Sequence, residues 1–270
     1  MNCLGQSKLR AKLLSVATGL LAIVAMVCAG PIQAGPLLYG TNSGGELIKI
    51  DALTGVATQI GPNLGITAIG LAYNPNTGTA YTRDFGNLYT VDLATGAKAL
   101  VGASGSFITG LTFDSTYTNL FSVGQGDGNL YRVNPLTGAA TLVGNMSIST
   151  PLDLSTNSLG QVVVGDISGA VYSVNTTTGA SSFLASVGFD GLTAIAFDPS
   201  DNLYGVTITG DLLVRNILSG AVTVGTISGF TDIRGLAFVG AAVPEPATLL
   251  LLGLGLAGLG FSRRSKSVQA

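Results

Sequence analysis

Tyr89-Thr90-Val91-Asp92-Leu93-Ala94-Thr95-Gly96 is the stretch from which the fold can be read. Its first half alternates apolar and polar side chains with period two, as a half-buried strand does. Its second half carries turn chemistry: an Asp oxygen that can close an Asx-type turn, and a Gly able to take positive φ. The same pattern, apolar-x-apolar-Asp/Asn-x-x-x-Gly, recurs at 48–55, 131–138, 172–179 and 213–220. The glycines lie 41, 42, 41 and 41 residues apart, a constancy that marks an internal repeat.

Three further elements keep phase with it. One is Gly70-Leu71-Ala72-Tyr73, echoed at Gly110-Leu111-Thr112-Phe113, Pro151-Leu152-Asp153-Leu154, Ala194-Ile195-Ala196-Phe197 and Gly235-Leu236-Ala237-Phe238. The second is Leu38-Tyr39-Gly40 and its counterparts starting at Ala80, Leu120, Val162 and Leu203. The third follows each glycine, as in Thr141-Leu142-Val143-Gly144. Each unit reads as four short strands, and no stretch of 35–242 keeps a helical period. Four strands per ~41 residues predicts an all-β, five-bladed β-propeller, in which blades cover one another's faces around an axis. The body begins with a second strand and ends with an inner one. The last inner strand (235–239) is therefore expected to pair with 37–41 and complete the first blade, leaving no open edge.

The ends of the chain are of another character. Lys8, Arg10 and Lys12 precede the apolar run 13–28, and Ile32-Gln33-Ala34 offers a small residue for cleavage, so 1–34 reads as a signal peptide. Cys3 and Cys28 leave with it, and the mature chain has no thiol chemistry. At the other end, Val243-Pro244-Glu245-Pro246 is followed by an apolar run, 247–261, and then by Arg263, Arg264 and Lys266. Fifteen helical residues rise roughly 22 Å, a short span whose trailing cations fit a cytoplasmic C-terminus. This tripartite ending, 243–270, closely resembles the PEP-CTERM sorting signal of exported proteins. The resemblance implies delivery by the secretion machinery, transient anchoring in the inner membrane, and processing by an exosortase. The destination it implies is the cell surface or an exopolysaccharide matrix. A permanent anchor is the alternative reading of the same segment.

Charge and composition then limit the chemistry. Residues 35–242 hold thirteen acidic and six basic side chains, a net charge of −7, which argues against nucleic acid as a partner. The chain has no His and no Trp, so His-based catalysis and His metal cages are ruled out. The segment 91–96 resembles the Asp-x-x-Thr-Gly turn of quinoprotein repeats, but the tryptophan that docks blades in that family is missing. The repeat is more similar to the Leu-Tyr-x-x-Asp-x-x-Thr-Gly propeller units of secreted bacterial proteins, a likeness that conveys a fold and no activity. The one body Glu, Glu46, falls in a hairpin turn, and most Asp residues fall at repeated turns. Loops 125–129 and 198–202 gather oxygens without a complete calcium pattern, so both are read as hairpins.

Departures from the repeat are the candidate sites. Asp153 stands where the inner strand should carry Ala or Thr, and Arg215 where the third strand has Ile or Val. A one-residue bulge at Arg215 would let Val214 face inward. Asp190, Asp232 and Arg234 fall in loops feeding inner strands, which should converge at one mouth of the ring. Asp153, Asp190, Asp232 and Arg234 are therefore the candidate ligand-binding residues; for Asp153, an inter-blade hydrogen bond explains it as well. No catalytic residue, metal or cofactor is expected. The chain reads as a structural or interaction protein, its partner an exopolysaccharide or another surface protein. A lectin-like propeller would need exposed aromatic platforms, and the tyrosines fall where the core pattern wants them. A glycoside-active enzyme is the remaining alternative.

Overall fold

The computed structural model describes residues 37–239 except 189, 217–219 and 228, and excepting the side chains of 213–224. Residues Gly35–Ala241 form one compact unit. The expected signal peptide and sorting tail lie outside the described residues. Among those described, no helix is long and apolar enough to cross a membrane.

The repeated turn forms as its side chains dictate. Asp92 Oδ1 accepts the N–H groups of Ala94 and Thr95, both at 2.8 Å, while Gly96 donates to the Asp92 carbonyl at 2.8 Å. Asp51 and Asn175 do the same for their own turns. The closing glycines 55, 96, 138 and 179 sit at φ 73–79°, a region a side chain would resist. The N–H of Thr95, then that of Ala94, hold the Asp92 carboxyl below the usual range.

Each turn joins the outer two strands of a four-stranded antiparallel sheet, and the described residues form five such sheets. From the axis outward, the second blade holds Leu71–Asn74, Thr79–Arg83, Asn87–Val91 and Lys98–Ala103. The third holds Thr109–Phe113, Leu120–Val123, Asn129–Val133 and Ala140–Asn145. The fourth is Pro151–Thr156, Val162–Asp166, Ala170–Val174 and Ser181–Ser186. The fifth is Leu192–Phe197, Asn202–Thr207, Asp211–Asn216 and Gly220–Thr226. The first blade is shared between the chain's two ends: Ile233–Val239 lies innermost, beside Leu37–Asn42, Leu47–Asp51 and Ala57–Gln59. Its closing register pairs Leu37 with Val239 and Thr41 with Gly235, as the strand count demands.

Five buried apolar clusters hold the ring, one at each junction between neighbouring blades. At the closing junction Leu236, Leu38 and Ile48 of the first blade pack against Ala194, Ala196 and Val206 of the fifth. The outer strands of four blades carry a β-bulge at one equivalent place. It leaves Val101, Val143 and Leu184 without a partner in the ladder and turns them toward the junction clusters. The bulge in the fifth blade lies at Leu212/Leu213 on the outer side. At Arg215 the pairing with Leu203 is regular, so the expected bulge there is not formed.

Backbone contact replaces the docking that tryptophan gives other propellers. Gly61, Gly102 and Gly144 lie against the carbonyls of Thr95, Thr137 and Thr178 in the next blade's Asp/Asn-x-x-Thr-Gly turn. Gly225 meets Thr54 in the same way across the closing junction. A Cβ at Gly102 would overlap the Thr137 oxygen, so glycine is required for two blades to approach this closely.

Candidate functional site

The inner strands line an axial channel in successive layers of five residues. Ile69, Thr109, Leu152, Thr193 and Arg234 ring one mouth. Next come Gly70, Gly110, Asp153, Ala194 and Gly235, and beyond them the channel widens toward the opposite mouth. The pairing of Leu154 with Val164 and of Leu71 with Thr82 fixes this alignment. Asp153 therefore replaces the axial Gly, and Ser155 is the counterpart of Ala72 and Thr112. The sequence alignment of this blade was two residues out of register. A slip of two keeps every side chain on its own face, so the apolar pattern did not reveal it.

At the second layer the inner strands approach one another closely, Gly235 against Gly70 and Gly70 against Gly110, and Asp153 is buried among them. Its side chain is 1% exposed, and Oδ2 accepts the Ile195 N–H of the fifth blade at 3.0 Å. The amides of Leu154, Leu111 and Leu236 also face the carboxyl, yet Oδ1 completes no hydrogen bond. Burial pushes this carboxyl well above the usual range, against the pull of those amides. Gly110 passes so near that a Cβ there would strike Asp153. The inter-blade bond considered for this residue is formed, and its carboxyl is sealed from both mouths.

The Arg234 mouth is a cavity of about 230 Å³. Arg234 Nε donates to Asp232 Oδ1 at 2.5 Å, and both side chains are partly exposed. Asp232 holds a positive φ of 52°, an uncommon backbone state for a residue other than glycine. Asp190 is exposed on this side but does not line the cavity, so the structure brings Asp232 and Arg234 together and leaves Asp190 apart. The sequence reading missed Phe85 and Phe107, which stack at 4.3 Å between centroids and 7° between planes. Phe85 comes from a hairpin turn and lines the cavity; Phe107, 58% exposed, comes from the loop before the third blade. Phe85, between Asp84 and Gly86, and Phe107, next to Ile108 after Ser104-Gly105-Ser106, depart from polar loop composition, the one signal that could have found them.

Arg83, also unforeseen, is fully buried between the second and third blades. Its guanidinium donates to Ser122 Oγ and Ser104 Oγ at 3.0 Å and to the Asp84 carbonyl at 3.1 Å. No carboxylate forms an ion pair with it among the described residues. Burial pulls its pKa down to about 9, so it remains a cation at neutral pH.

The opposite mouth is a funnel lined by Tyr73, Phe113, Phe197 and Phe238, with Thr156 in the fourth blade's place. It opens from a cavity of about 210 Å³ into one of about 400 Å³ bounded by Tyr117, Pro75 and Pro199. Tyr73 and Tyr117 are thus not only core residues, contrary to the expectation for the tyrosines. Asp198, in one of the loops weighed for calcium, accepts the N–H groups of Ser200 and Asn202 at 2.8 Å. Asp201 is held by Ser158 across the blade junction, and Asp127 accepts the Tyr131 hydroxyl at 2.5 Å.

Comparison by family finds that residues 242–264 match the PEP-CTERM protein-sorting motif. The chain carries a PEP-CTERM sorting motif. The motif marks an exported protein, anchored transiently at the membrane and processed there by an exosortase. Comparison with curated proteins finds no match. Among solved structures, the chain is similar to one chain of a nidogen/laminin complex, with a TM-score of 0.57 and 13% identity over 76% of this chain and 98% of that one. It is also similar to a structural genomics protein of unknown function from Bacteroides thetaiotaomicron, with a TM-score of 0.51 and 17% identity over 75% of this chain and 60% of that one. These likenesses concern the fold alone. In this PEP-CTERM chain, Leu37 and Val239 pair side by side at the funnel end, three residues before the motif begins. The Arg234 mouth therefore opens on the face opposite both ends of the body.

Proposed function

We infer that this exported propeller works as a surface- or matrix-associated interaction protein and is not an enzyme. What carries the reading is a sorting motif joined directly to a closed ring that has an open cavity at each mouth. Glycoside hydrolysis needs two carboxyl groups free to act on one bond. Near the mouths, Asp232 is tied to Arg234, Asp114 and Asp198 to their own turns, and Asp153 is dry. Asp190, though exposed, stands apart from the cavity with no second carboxyl paired to it among the described residues. Exopolysaccharide and another surface protein are the proposed partners. A lectin-like role is favoured by one observation, the aromatic wall of Tyr73, Phe113, Phe197 and Phe238 interleaved with hydroxyl and amide groups.

Cell fractionation and mass spectrometry test the sorting half of this reading. The extracellular form should lack Arg263 and Arg264, and a Pro244→Ala, Glu245→Ala chain should stay in the membrane fraction. Intact Arg263 and Arg264 on extracellular protein would defeat the processing step. Retention of the full-length chain on matrix polysaccharide or on surface protein, without turnover, is expected for the body. Release of sugar products above background would overturn the non-enzymatic assignment.

A further inference from the structure

We propose that the Arg234 mouth is a binding site for a small carboxylated sugar ring, such as a hexuronate, free or as the end unit of a chain. The proposal deepens the interaction reading above and rests on it. Five residues ring this mouth, and four of them, Ile69, Thr109, Leu152 and Thr193, are uncharged. Arg234 is the exception, and its partner holds it by one nitrogen only. Nε is bonded to Asp232, whereas neither Nη makes a hydrogen bond among the described residues. A guanidinium fixed in this way presents two parallel N–H donors, the geometry that matches a carboxylate. Asp232 adopts its left-handed backbone state while holding that fork, as residues that orient functional groups often do.

The rest of the cavity specifies what should be attached to the carboxylate. Phe107 backs one face of Phe85, which stiffens a ring that lines the cavity. An aromatic platform of this kind suits the C–H face of a sugar, while Ser43, Thr67 and Gln125 supply hydroxyl and amide groups for its hydroxyls. The volume of about 230 Å³ is below the ~300–1,000 Å³ of drug-sized sites, so the ligand is small or is a terminal unit. The carboxyl nearest the fork is Asp232, whose bond to Nε leaves both Nη groups for a ligand, while Asp153, one layer down, is buried and does not line the cavity. A bare phosphate would use the fork but not Phe85, and a neutral hexose would use Phe85 but not the fork.

The test is calorimetric titration of the purified full-length chain in detergent micelles with glucuronate, glucose, inorganic phosphate and a glucuronate-ended oligosaccharide. Glucuronate should bind tighter than glucose or phosphate by about tenfold or more. A tighter oligosaccharide identifies a chain end as the natural source, and equal affinity identifies the free sugar. Arg234→Gln should lose about tenfold or more in glucuronate affinity, with Arg234→Lys recovering only part of it. Phe85→Ala should weaken glucuronate and leave phosphate unchanged, which keeps the test decisive if the Arg234 variants fail to fold. Glucose or phosphate binding as well as glucuronate overturns the site. So does unchanged glucuronate affinity in a folded Arg234→Gln chain. If uronate fails while matrix polysaccharide still retains the protein, this site is wrong and the interaction reading stands.

Discussion

Shortening Leu236 to alanine asks whether the two ends of the body are locked together by packing. Leu236 is 2% exposed and packs within the cluster that joins the first and fifth blades. Removing its buried methyl groups should cost about 2–5 kcal/mol, the transfer term plus the cavity left behind. For a domain of this size each kcal/mol is worth about 2–4 °C, so the melting temperature should fall by about 4–20 °C. Two matched variants supply the scale. Leu111→Ala removes the equivalent side chain from a junction in the middle of the chain, and Leu142→Ala removes one that is 61% exposed on an outer strand. Closure predicts that Leu236→Ala matches Leu111→Ala in scanning calorimetry, although Leu236 sits in the last strand. It also predicts that Leu142→Ala stays within about 0.5 kcal/mol of the parent. Leu236→Ala behaving like Leu142→Ala would refute the closed ring.

The blade contacts, the axial carboxyl and the buried guanidinium each give a further test. Gly102→Ala and Gly144→Ala should cost about 1–3 kcal/mol by urea midpoint, because each new Cβ meets a neighbouring blade's carbonyl. Gly126→Ala, with open space around it, should change little; equal losses at all three would remove the steric explanation. Asp153 keeps its proton in the fold at pH values where the unfolded chain has lost it. Its contribution is therefore complete below about pH 3.9 and declines as pH rises through the folded-state pKa. Asp153→Asn should remove that decline, so its advantage over the parent should grow from pH 4 upward, and a pH-independent difference would count against the buried carboxyl. Ser122→Ala leaves the Arg83 guanidinium without one acceptor and should cost about 1–3 kcal/mol. Combined with Arg83→Met the cost should be less than additive by more than about 0.5 kcal/mol in a double-mutant cycle; strict additivity would mean the two do not interact.

Blade number, strand order and ring closure could all be read in the sequence, because each is a local pattern repeated and then counted. The spacing of Gly55, Gly96, Gly138, Gly179 and Gly220 needs no tertiary information, and an offset of one strand between the two ends leaves one way to close the sheet. The sorting motif is likewise a linear code. Arg234 and Asp232 were legible as exceptions to the repeat two residues apart. Tertiary structure alone decided the register of the fourth blade, which moved Asp153 onto the axis, since a two-residue shift leaves the alternation unchanged. It also decided that Phe85 meets Phe107, that Arg83 meets Ser104 and Ser122, and that Gly102 meets Thr137. These partners lie 21 to 39 residues apart along the chain and belong to different turns, strands or blades. A one-dimensional pattern records which face a side chain takes, and only the closing of the ring determines what that face will meet.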